Sequence, residues 1–516
     1  MGADAAHLLP YKSGLPAIEL MDGLRRSSQT SSRSSTLDAS RAAPRLNQSL
    51  SPRRHILFTR SLLASALFAI GLPMSAHADN PIIQTRFTAD PAPLVHDSVV
   101  YLYTSHDEDD ATGFKMLDWR LYSTTDMVNW TDRGVVASLE TFPWAVQTND
   151  AWAPQVVERG NKFYLYVPIS VAGSPKNVIA VAVADQPTGP FRDGLGKPLI
   201  APGKGFIDPT VWIDKDGQAY LYWGNPDLWY VKLNSDMVSF SGAVMKVGSK
   251  PPDYQEGPWF YERTGHYYLA YASTCCPEGI GYAMSEGPTG PWVHKGKIMD
   301  PNDGSTGNHP GLIDYKGRSY LFGFNYRLNF AITPIHHERR SINVAEFRYN
   351  PDGTIANLPW WDNRGVEQIQ PLNPYQRVEA ETIAWTSRIK RDRDRPYDWT
   401  PGVTTTLNDR TGMYVTRITD RSYIKVAGVD FGKTGAKAFI ASVANGTPTS
   451  TIELRLDRVD GPTIGSIQVG ATSAPARWQE KQTPISNATG VRDLYMVFRG
   501  DGEGSMFDFD YWRFVR

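Results

Sequence analysis

The chain has 516 residues, 53 Lys+Arg against 54 Asp+Glu and a formal net charge of −1. With no basic block beyond the N-terminal tract, this balance argues against nucleic acid and anionic membranes as partners. The only two cysteines, Cys275 and Cys276, are adjacent, which excludes a disulfide framework and leaves no Cys-x-x-Cys metal spacing.

Residues 1–52 hold a Ser/Arg-rich tract from Arg25 to Arg41 with few apolar residues and no periodicity, and read as a disordered extension. Residues 53–78 read as a secretory signal. Arg53, Arg54 and Arg60 form the charged region, Ser61 to Met74 the apolar region, and Ser75-Ala76-His77-Ala78 the cleavage site. About fourteen apolar residues are too few for an ordinary membrane span. The expected location is therefore exported, with no membrane association after cleavage. An uncleaved anchor and an organellar transit peptide are the alternatives, and a signal this far into a chain suggests a start placed too far upstream.

From Asp90 to Tyr326 one unit recurs five times: an acidic or small residue, a proline, an apolar run, a polar turn, then Tyr-Leu-x-Tyr or a near copy. The copies open with Asp90-Pro91, Ala153-Pro154, Asp208-Pro209, Glu256-Gly257-Pro258 and His309-Pro310, and reach Tyr101-Leu102-Tyr103, Tyr164-Leu165-Tyr166, Tyr220-Leu221-Tyr222, Tyr268-Leu269-Ala270-Tyr271 and Tyr320-Leu321-Phe322. Each reads as a strand, a tight turn and a second strand. Such hairpins cannot bury their faces alone. A spacing of roughly fifty to sixty residues predicts a five-bladed β-propeller over residues 79–370.

Equivalent positions of a propeller lie on a ring about its axis. The copy starts Asp90, Ala153, Asp208, Glu256 and His309 are therefore expected to converge at one end of the channel. Three are carboxylates, and like charges sharing a small pocket raise the pKa of at least one member. The bland alternative for a single Asp-Pro is a strand start, with Asp satisfying the turn. Three carboxylates in register with a repeat favour chemistry. Among the abundant aromatics, Trp152, Phe206, Tyr254 and Trp259 flank the copy starts and are expected to offer flat faces to sugar rings. Cys275 and Cys276 are expected to be buried thiols, with a vicinal disulfide beside the pocket as the alternative.

The repeat stops in the proline-rich stretch from Leu358 to Pro374, read as a linker. Residues 375–516 turn to evenly spaced strands, such as Ala436 to Val443, Ser450 to Leu456 and Met506 to Trp512, and predict a β-sandwich of jelly-roll type. The fold class is thus all-β throughout.

The ordered set Ala89-Asp90-Pro91, Trp152-Ala153-Pro154, Ile207-Asp208-Pro209-Thr210 and Glu256-Gly257-Pro258 resembles glycoside hydrolase family 43 over roughly residues 82 to 360. Tyr101 to Asp110, Asp150 to Val157 and Cys275 to Ser285 look most like its xylan-acting branch of α-L-arabinofuranosidases and β-xylosidases. The resemblance implies Asp90 as general base, Glu256 as general acid and Asp208 as the carboxylate that orients Glu256 and tunes its pKa. It further implies that Arg340 contacts substrate and that His309 lies near the channel axis beside an ion or water. No cofactor is implied for catalysis. The expected substrate is arabinoxylan or its oligosaccharides, losing L-arabinofuranose with inversion. β-Xylosidase is the alternative, and a non-catalytic carbohydrate-binding propeller the remote one.

The C-terminal part is similar to carbohydrate-binding module family 6 through Val378-Glu379-Ala380-Glu381, Val429-Asp430-Phe431-Gly432, Gly490 to Tyr495 and Phe507 to Trp512. That resemblance implies a structural Ca²⁺ held by Glu379, Glu381 and Asp510, an oxygen set that suits calcium, and sugar recognition by aromatics such as Tyr423 and Trp478. Asp508 departs from the Asn common in binding members.

Overall fold

A computed structural model describes residues 77–302, 308–387, 402–408, 412–472, 477–502 and 504–516. The N-terminal extension and the expected signal up to residue 76 lie outside the described residues, among which no helix is long and apolar enough to cross a membrane.

Five antiparallel sheets follow one another along the chain. The first runs Phe87–His96, Val99–Asp107, Asp118–Thr124 and Trp130–Ser138, in that spatial order. The second runs Gln155–Arg159, Lys162–Ser170, Asn177–Ala184 and Arg192–Asp193; the third runs Thr210–Ile213, Ala219–Trp223, Trp229–Leu233 and Phe240–Lys246. The fourth runs Tyr254–Arg263, His266–Ser273, Gly279–Ser285 and Val293–Met299, and the fifth Gly311–Tyr315, Arg318–Asn325 and Ser341–Phe347.

The local chemistry of the repeat explains these hairpins. Four of the five opening turns are two-residue loops, at Asp97-Ser98, Gly160-Asn161, Thr264-Gly265 and Lys316-Gly317, and both residues of each have positive φ. That is the conformation whose twist matches a hairpin. The leucines of the repeat, Leu102, Leu165, Leu221, Leu269 and Leu321, are all fully buried. Its tyrosines join the sheets. Tyr103 donates its hydroxyl to Pro187 O at 2.6 Å, Tyr166 to Met237 O at 2.6 Å, and Tyr222 to Pro288 O at 2.5 Å, each a carbonyl of the next sheet's third turn. Tyr268 reaches Gly353 O at 2.8 Å, and Tyr315 of the fifth sheet reaches Thr125 O of the first at 3.0 Å. The N-terminal segment also lies along the fifth sheet, where Asn80 exchanges side-chain hydrogen bonds with the backbone of Val344.

The C-terminal sandwich has two sheets. One orders Thr404–Asn408, Gly412–Thr416, Asp508–Val515, Ala438–Ala444 and Gln479–Pro484, with Val378–Glu379 also pairing on Asp508–Val515. The other orders Trp385–Thr386, Tyr423–Asp430, Val491–Arg499, Thr451–Leu456 and Thr463–Gln468. Between them lies an apolar core that includes Phe439, Leu454, Phe498 and Trp512.

The stretch expected to be a linker is held on both sides. Arg364–Glu367 pairs with His77–Asp79, Ile369 N donates to Asp126 O at 3.1 Å, and Leu372 exchanges backbone bonds of 2.9 Å with Gly428 and Asp430. Thr382–Ile383 adds a fifth strand to the first sheet, opposite Thr131 and Trp130. Polar groups complete this contact. Asn129 and Ala427 bond reciprocally at 3.0 and 2.8 Å, and the buried Lys425 pairs with Asp493 at 3.0 Å and lies 3.9 Å from Asp79. A charge this deep is retained only when paired. The sandwich is thus docked on the propeller-like part by strand addition and buried hydrogen bonds.

Candidate active site

Asp90 sits in a β-bulge, where the register of the first strand shifts between Ala89 and Ala92. Its φ is +52°, and Asp208 has +59°. Left-handed backbone is uncommon for any residue with a side chain and is doubly unexpected before proline. Such outliers persist where surrounding structure holds them, often at functional sites. Among the copy starts, the third left-handed pre-proline residue is Gly257, at +58°. Glu256 therefore stands one residue ahead of the position equivalent to Asp90 and Asp208, which corrects the expectation that all five copy starts share one register. A Cβ at residue 257 would lie 3.0 Å from the His309 ring, so glycine is required there on two counts.

The carboxylates do converge. Asp208 and Glu256 are both perturbed by the charge of Asp90, and Asp208 also by Glu256 and Glu278. Asp90 is clamped: its Oδ1 accepts Nη1 of Arg340 at 2.9 Å and its Oδ2 accepts the hydroxyl of Ser105. Arg340 is buried and fixed in turn by Asp107, whose two oxygens take Nε at 3.0 Å and Nη2 at 2.9 Å, while the Arg340 backbone N–H donates to Oδ2 at 2.7 Å. Phe114 and Phe324 each stand 5.2 Å from the guanidinium. This bidentate fork gives the cation one position and one orientation.

Glu256 has the opposite environment. Burial, then the negative charge of Asp90, push its carboxyl up to about 7, against a hydrogen bond from Asn225 Nδ2 and the charge of Arg340. Gln255 Nε2 donates to Asn225 Oδ1 at 3.0 Å, which fixes the amide so that its NH₂ faces Glu256. Asp208 is also raised, by burial first and then by Glu256 and Asp90, although its Oδ2 accepts Gly257 N at 3.1 Å. Asp208 is buried and Glu256 partly buried, and two carboxyls that repel one another titrate as a pair. His309 lies 3.9 Å from Asp90 Oδ1, and burial drives its pKa down to about 4 despite that carboxylate, with Arg340 adding to the fall. The imidazole is neutral at physiological pH.

The predicted aromatics divide. Trp152 is partly buried, and its indole N–H has no hydrogen-bond partner among the described residues. Phe206 is also partly buried and packs edge-on against Trp223 at 5.5 Å. Trp259 is a core residue instead: it is 6% exposed, and its Nε1 donates to Leu312 O at 3.0 Å, which ties the fourth sheet to the fifth. Tyr254 is likewise buried, donating to Gly224 O at 2.6 Å. Cys275 and Cys276 are exposed and joined in a disulfide, against the expectation of buried thiols.

The calcium set in the sandwich does not close on a cation. Arg377 donates to Glu379 at 2.8 Å and to Asp510 at 3.1 Å, so a guanidinium already lies between two of the three carboxylates. Glu381 is buried with Oε2 lacking a hydrogen-bond partner, and burial raises its pKa well above the carboxylate range. Among the described residues, the groups whose potential ligand atoms lie within 4.8 Å of one another are His106, Glu108 and Asp118, and Cys275, Cys276 and Glu278. Glu379, Glu381 and Asp510 do not form such a group. Tyr423 is no sugar platform either, being 7% exposed and packed with Phe87, Trp385 and Tyr495 where the sandwich meets the first part. Trp478 pairs with Tyr414 at 5.3 Å, close to Asp508, whose carboxylate is held by Thr416 at 2.6 Å and by Asn445.

Sequence reasoning missed Ser105, Asp107, Asn225 and Glu278. Ser105 and Asp107 were accessible in principle, since residues two apart on a strand share a face and these pair opposite Ala89 and Phe87 beside the bulge. Asn225 and Glu278 lie in turns beyond the repeat and carry no comparable signal.

Known proteins place this arrangement. An arabinoxylan arabinofuranohydrolase of Bacillus subtilis is 32% identical over 88% of this chain and 96% of its own length. A xylosidase/arabinosidase of Bacteroides ovatus is 31% identical over 54% of this chain and 96% of its own. The crystal structure of a family 43 arabinoxylan arabinofuranohydrolase from Bacillus subtilis, in complex with cellotetraose, superposes with a TM-score of 0.73 at 30% identity, covering 86% of this chain and 99% of that one. With its cluster of buried carboxyls, the chain is a glycoside hydrolase. Residues 78–355 match the glycosyl hydrolases family 43, and the chain belongs to that family; residues 395–516 match carbohydrate binding module family 6.

Proposed function

We propose that this enzyme removes L-arabinofuranosyl side chains from arabinoxylan or its oligosaccharides with inversion of configuration. The observation that carries the reading is the contrast between two carboxyl groups of one buried cluster. Asp90 is paired with Arg340, while Glu256 keeps its proton up to about pH 7. Inverting hydrolysis needs such a pair: a carboxylate that deprotonates water, and a carboxylic acid that protonates the leaving oxygen from the other side of the scissile bond.

In this reading Asp90 is the base, and Arg340 and Ser105 aim it. Glu256 is the acid. Asp208, itself pushed up by burial and by the charges of Glu256 and Asp90, acts through Gly257, whose N–H it accepts, and so fixes the backbone beside the acid. Neutral His309 adds no positive charge beside Asp90, and Trp152 and Phe206 line the sugar site. The five successive sheets, joined by tyrosine hydroxyls from each to the next and from the fifth back to the first, support a five-bladed propeller that gathers these residues at one end of its channel. In the sandwich, Tyr414 and Trp478 rather than Tyr423 supply the aromatic face for polysaccharide. Export through a cleaved signal suits a polymeric substrate. Calcium has no role in the sandwich as Arg377 is placed, and an ion beside His309 on the channel axis belongs to the same proposal.

A β-xylosidase is the second reading, favoured by the xylosidase/arabinosidase similarity over 54% of the chain. Product analysis on wheat arabinoxylan and on linear xylo-oligosaccharides separates the two. Arabinose from the polymer without xylose from the oligomers is the expected result. Xylose alone would transfer the assignment, and no product from either would move the substrate to another arabinose-bearing glycan such as arabinan.

A further inference from the structure

The Cys275–Cys276 disulfide has no part in the chemistry above, yet it stands beside it. Ser273 is paired with Tyr254 and Ala272 with Glu256, so the chain leaves the strand at the level of the acid and enters the cysteine turn at once. Thr274 N donates to Asp253 O at 2.8 Å, which holds the turn against the segment leading into Glu256. Both cysteines are exposed, whereas Glu278, two residues on, is 1% exposed. The two sulfurs and a Glu278 carboxylate oxygen lie within 4.8 Å of one another. Glu278 then turns inward: its Oε2 accepts Asn308 N at 2.6 Å, next to His309, and its charge reaches Asp208. The disulfide is thus the solvent-facing end of a short path whose other end is the acid cluster.

Position relative to Glu256 identifies what can reach it. A general acid lies on the leaving-group side of the bond it cleaves. For a side-chain debranching enzyme the leaving group is the main chain of pentopyranose rings, so groups flanking Glu256 at the surface face that chain and not the sugar removed. A paired disulfide offers a polarizable surface without a charge, suited to the C–H face of a pyranose ring.

We propose that the Cys275–Cys276 disulfide is a specificity element that seats the xylan main-chain ring next to the scissile bond. The inference rests on the reading of Glu256 as acid. It predicts that the pair matters in proportion to how much leaving group the substrate carries.

The test compares an arabinoxylo-oligosaccharide with 4-nitrophenyl α-L-arabinofuranoside, whose leaving group has no pyranose ring, on wild-type enzyme and on Cys275→Ser/Cys276→Ser. The ratio of kcat/KM on the oligosaccharide to that on the aryl glycoside should fall about tenfold, with the loss in KM. Reducing the wild-type enzyme with a phosphine should lower the same ratio, and reoxidation with a diazene oxidant such as diamide, which takes up the two electrons and two protons after the phosphine is removed, should restore it, without dependence on how the variant folds. Two electrons from phosphorus open the S–S bond, and water supplies two protons and the oxygen of the phosphine oxide. An unchanged ratio in both experiments, or equal losses on both substrates, would overturn the proposal while leaving the function intact. So would two iodoacetamide adducts on unreduced native enzyme. A wild-type enzyme that releases no arabinose from the oligosaccharide overturns the functional reading, and this proposal with it.

Discussion

Replacing Asn225 tests the electrostatics of the site most directly, because this side chain acts on Glu256 through one hydrogen bond. The Asn225 amide donates to Glu256 Oε2, a bond that favours the ionised carboxylate and opposes burial and Asp90. If Glu256 is the acid, activity falls on the alkaline side as it loses its proton. Removing the donor makes the carboxylate harder to form, so the pKa rises and the alkaline limb moves to higher pH. A hydrogen bond to a charged group is worth about 1.5–3 kcal/mol, and one pKa unit corresponds to about 1.4 kcal/mol. In Asn225→Leu, which keeps the volume and excludes water, the limb should therefore move up by roughly one to two units. In Asn225→Ala, where water can take over as donor, the movement should be smaller and in the same direction. The assay is the pH profile of kcat/KM on an aryl arabinofuranoside, which reports the free enzyme. An alkaline limb that stays in place or moves down in the leucine variant would refute the assignment of the pH 7 group to Glu256.

The same raised pKa has a stability consequence. With Glu256 at about 7 in the folded chain against 4.5 unperturbed, the contribution of its protonated form is complete below pH 4.5 and lost as pH rises through 7. Glu256→Gln should thus unfold at nearly the same denaturant concentration as wild type near pH 4.5, and be more stable by roughly 3 kcal/mol at pH 8.5. Arg340→Ala, which strands Asp90 and Asp107 without their cation, should cost about 3–5 kcal/mol of stability by denaturant titration, and Arg340→Lys should recover part of the stability and little of kcat. Gly257→Ala forces a left-handed alanine against the His309 ring; a loss of about 1–2 kcal/mol and a fall in kcat larger than the change in KM are expected. Calcium should leave the wild-type melting temperature unchanged and raise that of Arg377→Ala, in which Glu379 and Asp510 lose their guanidinium.

What the sequence could reveal follows from how each feature is encoded. The repeat was legible because its copies satisfy the same constraints: a turn with positive φ, a leucine between packed sheets and, in the first four, a tyrosine placed to reach its neighbour. Asp90, Asp208, Glu256, His309 and Arg340 were reached through the repeat and the family resemblance, and they meet in the structure. Register by one residue was not legible, since Glu256-Gly257-Pro258 and Asp208-Pro209 look alike until the bulge assigns Gly257, not Glu256, to the left-handed position. Aromatic roles failed for a similar reason. A tryptophan beside a copy start can face the channel or the adjacent sheet, and in Trp259 the carbonyl of Leu312 decides for the sheet. The calcium set failed because a ligand list says nothing of a competing cation, and Arg377, two residues before Glu379, supplies one.

The cluster separates its carboxyls by what compensates each of them. Every charged oxygen near Asp90 has a donor: Arg340 and Ser105 for Asp90 itself, Arg340 three times over for Asp107. Among the described residues, Asp208 and Glu256 accept hydrogen bonds only from Gly257 N and the Asn225 amide, with no cation in contact. Because burial penalises an ionised carboxyl unless hydrogen bonds or a counter-charge offset it, the side that lacks them, at Asp208 and Glu256, is pushed towards the acid form. That division needs no difference in residue type. It explains why the two sides can be built from the same Asp/Glu-Pro repeat, and why the residues that distinguish them, Ser105, Asp107, Arg340 and Asn225, all lie outside its copy starts.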